Sequence, residues 1–484
     1  MRSRSPLFLF ALATASLTLS CSSKDSPAAP GDSGGADAGA YVFQPKGCGY
    51  RVDAMEGFPD FEPSSDAVGA DATPRHVRLG LGGGVDGSKP GYADPSTSFA
   101  VGWQTDVGTM ASKLKFGDSA DKLDTVVEGA SVFLPQELRR GPDAGLRFHQ
   151  AHACGLQPGR AYFYSVGGGP AGKETWSAPQ QVTLAPAKGS SDAVPIAFVG
   201  DTRDSIGKPE FSVWRAISGR LQNAGARAVL FSGDAVFVGA DESLWDAWTT
   251  SSDPLAGATF VAMAPGNHEN ELVRYFAHVV MPGAGKNAGR YSSFDVGPVH
   301  AVMLDDYDGI VAPSIDVTGY REELLAWLDA DLTRADANRA SVPWIVTFHH
   351  HPAYDSGDKT DRVAERKAVQ DALVSKFDAH RVDLDVAGHD HFYERSKPLA
   401  GGAAAGKGTT YLVCAGGGAP SYGTLAGNPL SQAITHYDPA ASEGLYGLIT
   451  ADAKKLDVKV YKMKGATGTS PADDTVADSF TLTR

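Results

Sequence analysis

The chain has 484 residues, room for two or three domains, and an apolar content of 42% that suits globular folding. Its formal net charge of −14 excludes a broad basic face for nucleic acid or anionic lipid. Any anionic substrate must then be drawn in locally, by metal ions or a few arginines.

Residues 1–21 read as a signal peptide. Arg2 and Arg4 precede an apolar run from Leu7 to Leu19 that is too short for a membrane span. The run ends in Leu17-Thr18-Leu19-Ser20-Cys21, which resembles a bacterial lipobox with Thr18 where Leu is usual. Either Cys21 is lipidated or it follows an ordinary signal peptide by chance. Residues 22–40 are rich in Ser, Gly, Ala, Pro and Asp and predict a flexible linker, as a lipoprotein needs. The expected location is the bacterial cell envelope, by lipid anchorage at the outer membrane or in the periplasm, or release outside the cell. Export favours disulfides. Cys48 and Cys154 are the candidate pair, and Cys414, in the apolar run Tyr411–Ala415, reads as a buried free thiol.

From residue 70 to 186 the pattern is β. Phe99, Val101 and Trp103 alternate with small or polar residues, as do Tyr162, Tyr164 and Val166. This is the period of half-buried strands, and an all-β immunoglobulin-like sandwich is predicted. Pro186–Asp192 reads as a linker. From residue 193 to 484, short strand-like runs alternate with helical stretches. Phe211, Trp214, Ile217 and Leu221 share one helical face, and so do Leu324, Leu325, Leu328 and Leu332. A layered α-β domain of sheets flanked by helices follows.

Five of those runs, Ile196–Val199, Ala228–Phe231, Phe260–Met263, Trp344–Phe348 and Val382–Val386, end in metal-binding residue types. The ends are Gly200-Asp201-Thr202-Arg203, Gly233-Asp234, Gly266-Asn267-His268-Glu269, His349-His350-His351-Pro352 and Gly388-His389-Asp390-His391. Alone, each block reads as an ordinary turn or a surface cluster. Together, each after an apolar strand, they can converge, because open α/β sheets bind ligands at the carboxyl ends of their strands. Carboxylate, carboxamide and imidazole together suit Fe, Zn or Mn better than Ca or Mg.

In this order the blocks resemble those of the calcineurin-like metallophosphoesterases, and of the purple acid phosphatase branch in particular. His389-Asp390-His391-Phe392-Tyr393-Glu394-Arg395 is similar to the last block of that branch, and Trp344–Tyr354 to another. Phe99–Thr105 and Leu156-Gln157-Pro158-Gly159 resemble its fibronectin type III-like N-terminal domain. The resemblance implies mixed sheets flanked by helices behind an all-β sandwich. It also implies two metal ions, with Asp234 between them. Asp201 and His391 would complete the first ion's shell. Asn267, His350 and His389 would hold the second. His268 would be the acid at the leaving group, and His349 and His351 would stand behind the ligands or face substrate. His300 fits a recurrent position and reads as structural.

Two residues depart from that pattern. Arg203 stands where many relatives have a ligand histidine. It cannot ligate, so it binds phosphate in a two-pronged grip or makes a salt bridge at the sheet edge. Phe237 stands where the purple enzymes have a tyrosine ligand, which implies no tyrosinate-to-iron colour. The function implied is an exported phosphoesterase acting on small phosphate esters, first of all a phosphomonoesterase. A phosphodiesterase or phospholipase-like enzyme, or a non-catalytic surface protein with structural metals, are the alternatives.

Overall fold

This computed structural model describes residues 41–84, 92–134, 146–203, 210–253, 255–269, 272–282, 285–312 and 319–484. The segments read above as a signal peptide and a linker, with Cys21, lie outside them. Among the described residues, no helix is long and apolar enough to cross a membrane.

The N-terminal part is a sandwich of two five-stranded sheets. The alternating runs predicted as strands lie in it, at Phe99–Asp106 and Ala161–Gly168. Phe99 meets Tyr164 across the layers, with ring centroids 5.6 Å apart. The first of these strands is buried on both faces, not on one. The reason is what covers its second face: Ala100 is fully buried, and a side chain at Gly102 would collide with Val280 of the C-terminal part. Arg78 is buried at the same junction and donates to the carbonyls of Ala277 and His278. Cys48 and Cys154 are joined in a disulfide, and Cys414 is free and buried.

The C-terminal part is a second sandwich, of mixed sheets with six and nine strands. In the first sheet, Phe260–Met263, Ala228–Phe231 and Ile196–Val199 run parallel, followed by three antiparallel strands from Glu443 to Thr483. In the second, Val299–Leu304, Trp344–Phe348 and Leu384–Ala387 run parallel in adjacent places. The last of these starts two residues later than the apolar run alone suggests, because Val382 packs into the helix-side core rather than the ladder. Tyr92–Ala93, from the N-terminal part, pairs in parallel with Ser293–Phe294 and so extends this sheet. Tyr393 and Arg395, from the Tyr-Glu-Arg triplet, both bond Asp478, which ties the last strand of the chain to the second sheet.

His300 is part of this frame, not of the site. Its ring bridges Asp295 at 2.7 Å and Asp331 at 2.8 Å, all three buried. Burial opposes its charged form, but the carboxylates of Asp331 and Asp295 outweigh it and raise its pKa to about 10. A raised pKa stabilises the fold fully below the unfolded value near 6.5, and that gain is lost as pH climbs through about 10. His300→Gln should therefore cost about 3–5 kcal/mol at pH 6, the usual price of breaking a buried ion pair. The gap to wild type should narrow in denaturation curves taken from pH 7 to 10. A gap independent of pH would assign His300 to packing alone.

Candidate metal centre

The five strand ends meet at one edge of the sandwich, and their local backbone is strained in a shared way. Asp201, Asp234 and His389 have φ of 57°, 56° and 68°, in the left-handed region that side chains other than glycine rarely enter. Each follows a glycine, and the sharp turn swings its side chain back over the end of its strand. The glycines are required by close approach as well. A side chain at Gly266 would overlap the carboxylate of Asp234, and one at Gly388 that of Asp201.

The predicted ligand atoms come together. Asn267 Oδ1 is 3.1 Å from His350 Nε2 and 3.1 Å from His389 Nδ1. His389 Nδ1 and His350 Nε2 are 3.3 Å apart. Asp234 Oδ1 is 3.3 Å from His350 Nε2, and Asp201 Oδ1 is 3.3 Å from His391 Nε2. Asp201, Asp234, His350, His389 and His391 are all buried.

The other nitrogen of each imidazole is committed elsewhere. His350 Nδ1 donates to the carbonyl of Ser232 at 2.7 Å, and His391 Nδ1 to that of Pro420 at 2.6 Å. His389 Nε2 meets the carboxylate of Glu365 at 2.9 Å. Such partners fix the tautomer and aim the remaining lone pair, as in metal sites generally. The result is a cluster of lone pairs facing lone pairs at 3.1–3.3 Å. Protonating the rings does not relieve it, since burial holds His350, His389 and His391 below their ordinary pKa, outweighing Asp234 and Asp201 at His350 and aided by neighbouring cations at His389 and His391. Cations between these atoms do relieve it, so the donor set fits metal ions.

His268 stands beside the cluster, partly open to solvent. Its Nδ1 meets the carbonyl of Phe237 at 2.7 Å, and its Nε2 lies 3.8 Å from Asp234 Oδ2. His349 lies behind the ligands, between Asp306 at 3.2 Å and Asp385 at 3.1 Å. Burial works against its charge, but Asp385 and Asp306 raise its pKa to about 10. Arg203 does not face outward. Its Nε is 3.2 Å from Asp234 Oδ2 and its Nη2 is 3.3 Å from His391 Nε2. The ion pair is thus inside the centre and not at the sheet edge. His351 is also buried among the ligands, with Nδ1 on Asp306 and Nε2 without a partner.

Three carboxylates that hold the candidate ligands were not singled out by the sequence reading. Asp306 accepts from the backbone N–H of His350 and of His351, at 3.1 and 2.8 Å. Glu269 accepts from the N–H of Asp234 and of Gly266, at 2.9 and 2.8 Å, and so locks two ligand loops together. Glu365 orients His389 from the helix Val363–Val369. The only signal for Asp306 was its place just past an apolar strand, and for Glu269 its place in the Gly-Asn-His-Glu block.

Residues 89–184 match the purple acid phosphatase N-terminal domain, and residues 194–393 match the calcineurin-like phosphoesterase family. Among curated proteins, purple acid phosphatase 22 of Arabidopsis thaliana is 27% identical over 56% of this chain and 59% of its own length. Human acid phosphatase type 7 is 29% identical over 64% of this chain and 70% of its own. The chain thus spans less than two thirds of the plant relative. Among solved structures, purple acid phosphatase PPD1 from yellow lupin (Lupinus luteus) seeds superposes with a TM-score of 0.64 at 19% identity, covering 85% of this chain and 75% of that one. PhoD superposes with a TM-score of 0.57 at 14% identity, covering 86% of this chain and 92% of that one. These two show the fold: a metallophosphoesterase sandwich of mixed sheets and helices. Two groups of side chains, His350 with His351 and His389, and Asp201 with Asp234 and His350, lie close enough together to hold metal ions. Both domain matches lie in chain order and the ligand blocks assemble at one edge: the chain carries a purple acid phosphatase N-terminal domain followed by a calcineurin-like phosphoesterase domain, and it is similar to the purple acid phosphatases.

Proposed function

We propose that this protein is an exported phosphatase that hydrolyses small phosphate esters, first of all monoesters, at a centre of two metal ions. The convergence of six ligand residues beside His268 is the observation that carries this reading. Asp201, Asp234 and His391 would hold one ion, and Asp234, Asn267, His350 and His389 the other. When bound, the ions supply an activated water as nucleophile and offset charge on the phosphoryl oxygens.

The chain's own residues provide position and protons. Asp234 reaches both halves, since Oδ1 faces His350 and Oδ2 faces Arg203. Its backbone N–H is held by Glu269, which fixes the distance between the halves. His268 gives Nδ1–H to the carbonyl of Phe237, so Nε2 is the atom that carries the mobile proton. Nε2 stands 3.8 Å from Asp234 Oδ2 on the open side of the cluster, where a departing alkoxide would need a proton. The Cys48–Cys154 disulfide supports an oxidising compartment. A lipid on Cys21 would hold the enzyme at the envelope.

The test is a panel of phosphate monoesters and diesters offered to the purified, metal-loaded protein. Turnover of monoesters ahead of diesters is expected. A strict diester preference would make the enzyme a phosphodiesterase. No turnover of any ester by protein that carries its metal would leave only a binding role.

A further inference from the structure

The two halves of the centre differ in ways that the ligand blocks do not announce. On the Asp201–His391 side stands a cation already, the guanidinium of Arg203. It is 7% exposed at the side chain and grips Asp234 Oδ2 and His391 Nε2, at 3.2 and 3.3 Å. His391 Nε2 must accept here, because Nδ1–H is given to Pro420. The guanidinium therefore uses two of the lone pairs that an ion on this side requires. It is braced by the ring of Phe237, 5.1 Å away, and by the hydroxyl of Tyr422 at 3.4 Å. Phe237 stacks the arginine where an oxygen ligand would compete with it.

On the Asn267 side the balance is reversed. His351 presents a ring nitrogen within 4.8 Å of the ligand atoms of His350 and His389. Its ring lies 4.3 Å from that of His389, centroid to centroid. Nδ1 is held on Asp306, while Nε2 is buried with no partner, and such an orphan is costly unless something binds it.

We infer that the two metal positions are unequal: His351 adds a donor to a tightly held ion on the Asn267 side, while Arg203 must be displaced before an ion can settle on the Asp201–His391 side. This rests on the two-metal reading above and sharpens it. It takes Arg203 and His351 from the substrate and gives them to the metals.

The test is titration of metal-free protein with Zn(II), followed by calorimetry and by metal content after gel filtration. Wild type should retain one ion per chain and bind a second at least about tenfold more weakly, the size of effect that a neighbour of a ligand exerts. Arg203→Gln should strengthen the weak step by about tenfold or more and leave the tight one alone, and Arg203→Lys should keep it weak. His351→Phe should weaken the tight step by a similar factor. Two equal steps in the wild type overturn the inference and leave the two-metal reading standing, and so does a weak step unmoved by Arg203→Gln. Binding of no Zn(II) overturns both. The wild-type titration decides even if a variant fails to fold.

Discussion

Asp234→Asn should strip metal from both positions and lower kcat/KM by about 10²–10⁴-fold, equivalent to roughly 3–5 kcal/mol at 1.36 kcal/mol per decade. The carboxylate is the one ligand whose two oxygens face the two halves, Oδ1 at 3.3 Å from His350 Nε2 and Oδ2 at 3.2 Å from Arg203 Nε. Burial would raise its pKa, but His350, His268 and Arg203 hold it well below the usual carboxylate range, so the residue enters the centre as an anion. Asparagine is the right replacement. It keeps the acceptor for the N–H of His268, 3.0 Å away, and tolerates the left-handed backbone at φ 56°. What it removes is the charge and half of the bridge. Metal content per chain and initial rates on a phosphate monoester are the two readouts. Loss of a single ion, with the other retained at wild-type affinity, would confine Asp234 to one half.

The site was legible because its chemistry sits where the chain is simplest to read. A four- or five-residue apolar strand followed by a candidate ligand recurs five times, with a glycine before the ligand in four of them, and each feature has a physical cause: the strand is buried, and the glycine lets the next loop approach. What was not legible is everything that depends on which residue lies across the gap. Asp306, Glu269 and Glu365 hold ligands from the far side of a turn or from a helix, and nothing periodic marks a carboxylate as someone else's partner. The two-residue strand Tyr92–Ala93 is too short for any alternation to show, so the continuity of the second sheet into the N-terminal part was invisible. Arg203 is the instructive case. Its type and position allowed a phosphate clamp or an ion pair, and only the placement of Asp234 and His391 on either side of its guanidinium favours the second.

His268→Ala should lower kcat on alkyl phosphates by about 10²–10⁴-fold, the span of general acid catalysis, and should spare nitrophenyl phosphate by comparison. The difference lies in the leaving group. An alkoxide is too basic to depart without a proton, whereas nitrophenolate leaves unaided. The geometry around His268 suits this proposed task better than that of a ligand. Its Nδ1 is engaged with the carbonyl of Phe237 at 2.7 Å, and its Nε2 stands 3.8 Å from Asp234, beyond the 3.1–3.3 Å spacing of the ligand atoms. Its side chain is 21% exposed where those of the ligand histidines are buried, so a substrate can reach it. Metal content should not change, because the N–H that bonds Asp234 belongs to the backbone and survives the substitution. His268→Gln restores a side chain that can donate a hydrogen bond but cannot transfer a proton, and it should not recover the alkyl rate. Initial rates on the two substrate classes, at matched metal loading, separate the roles. An equal fall on both classes would mean that His268 binds the phosphoryl group or shapes the loop, and that the proton comes from elsewhere.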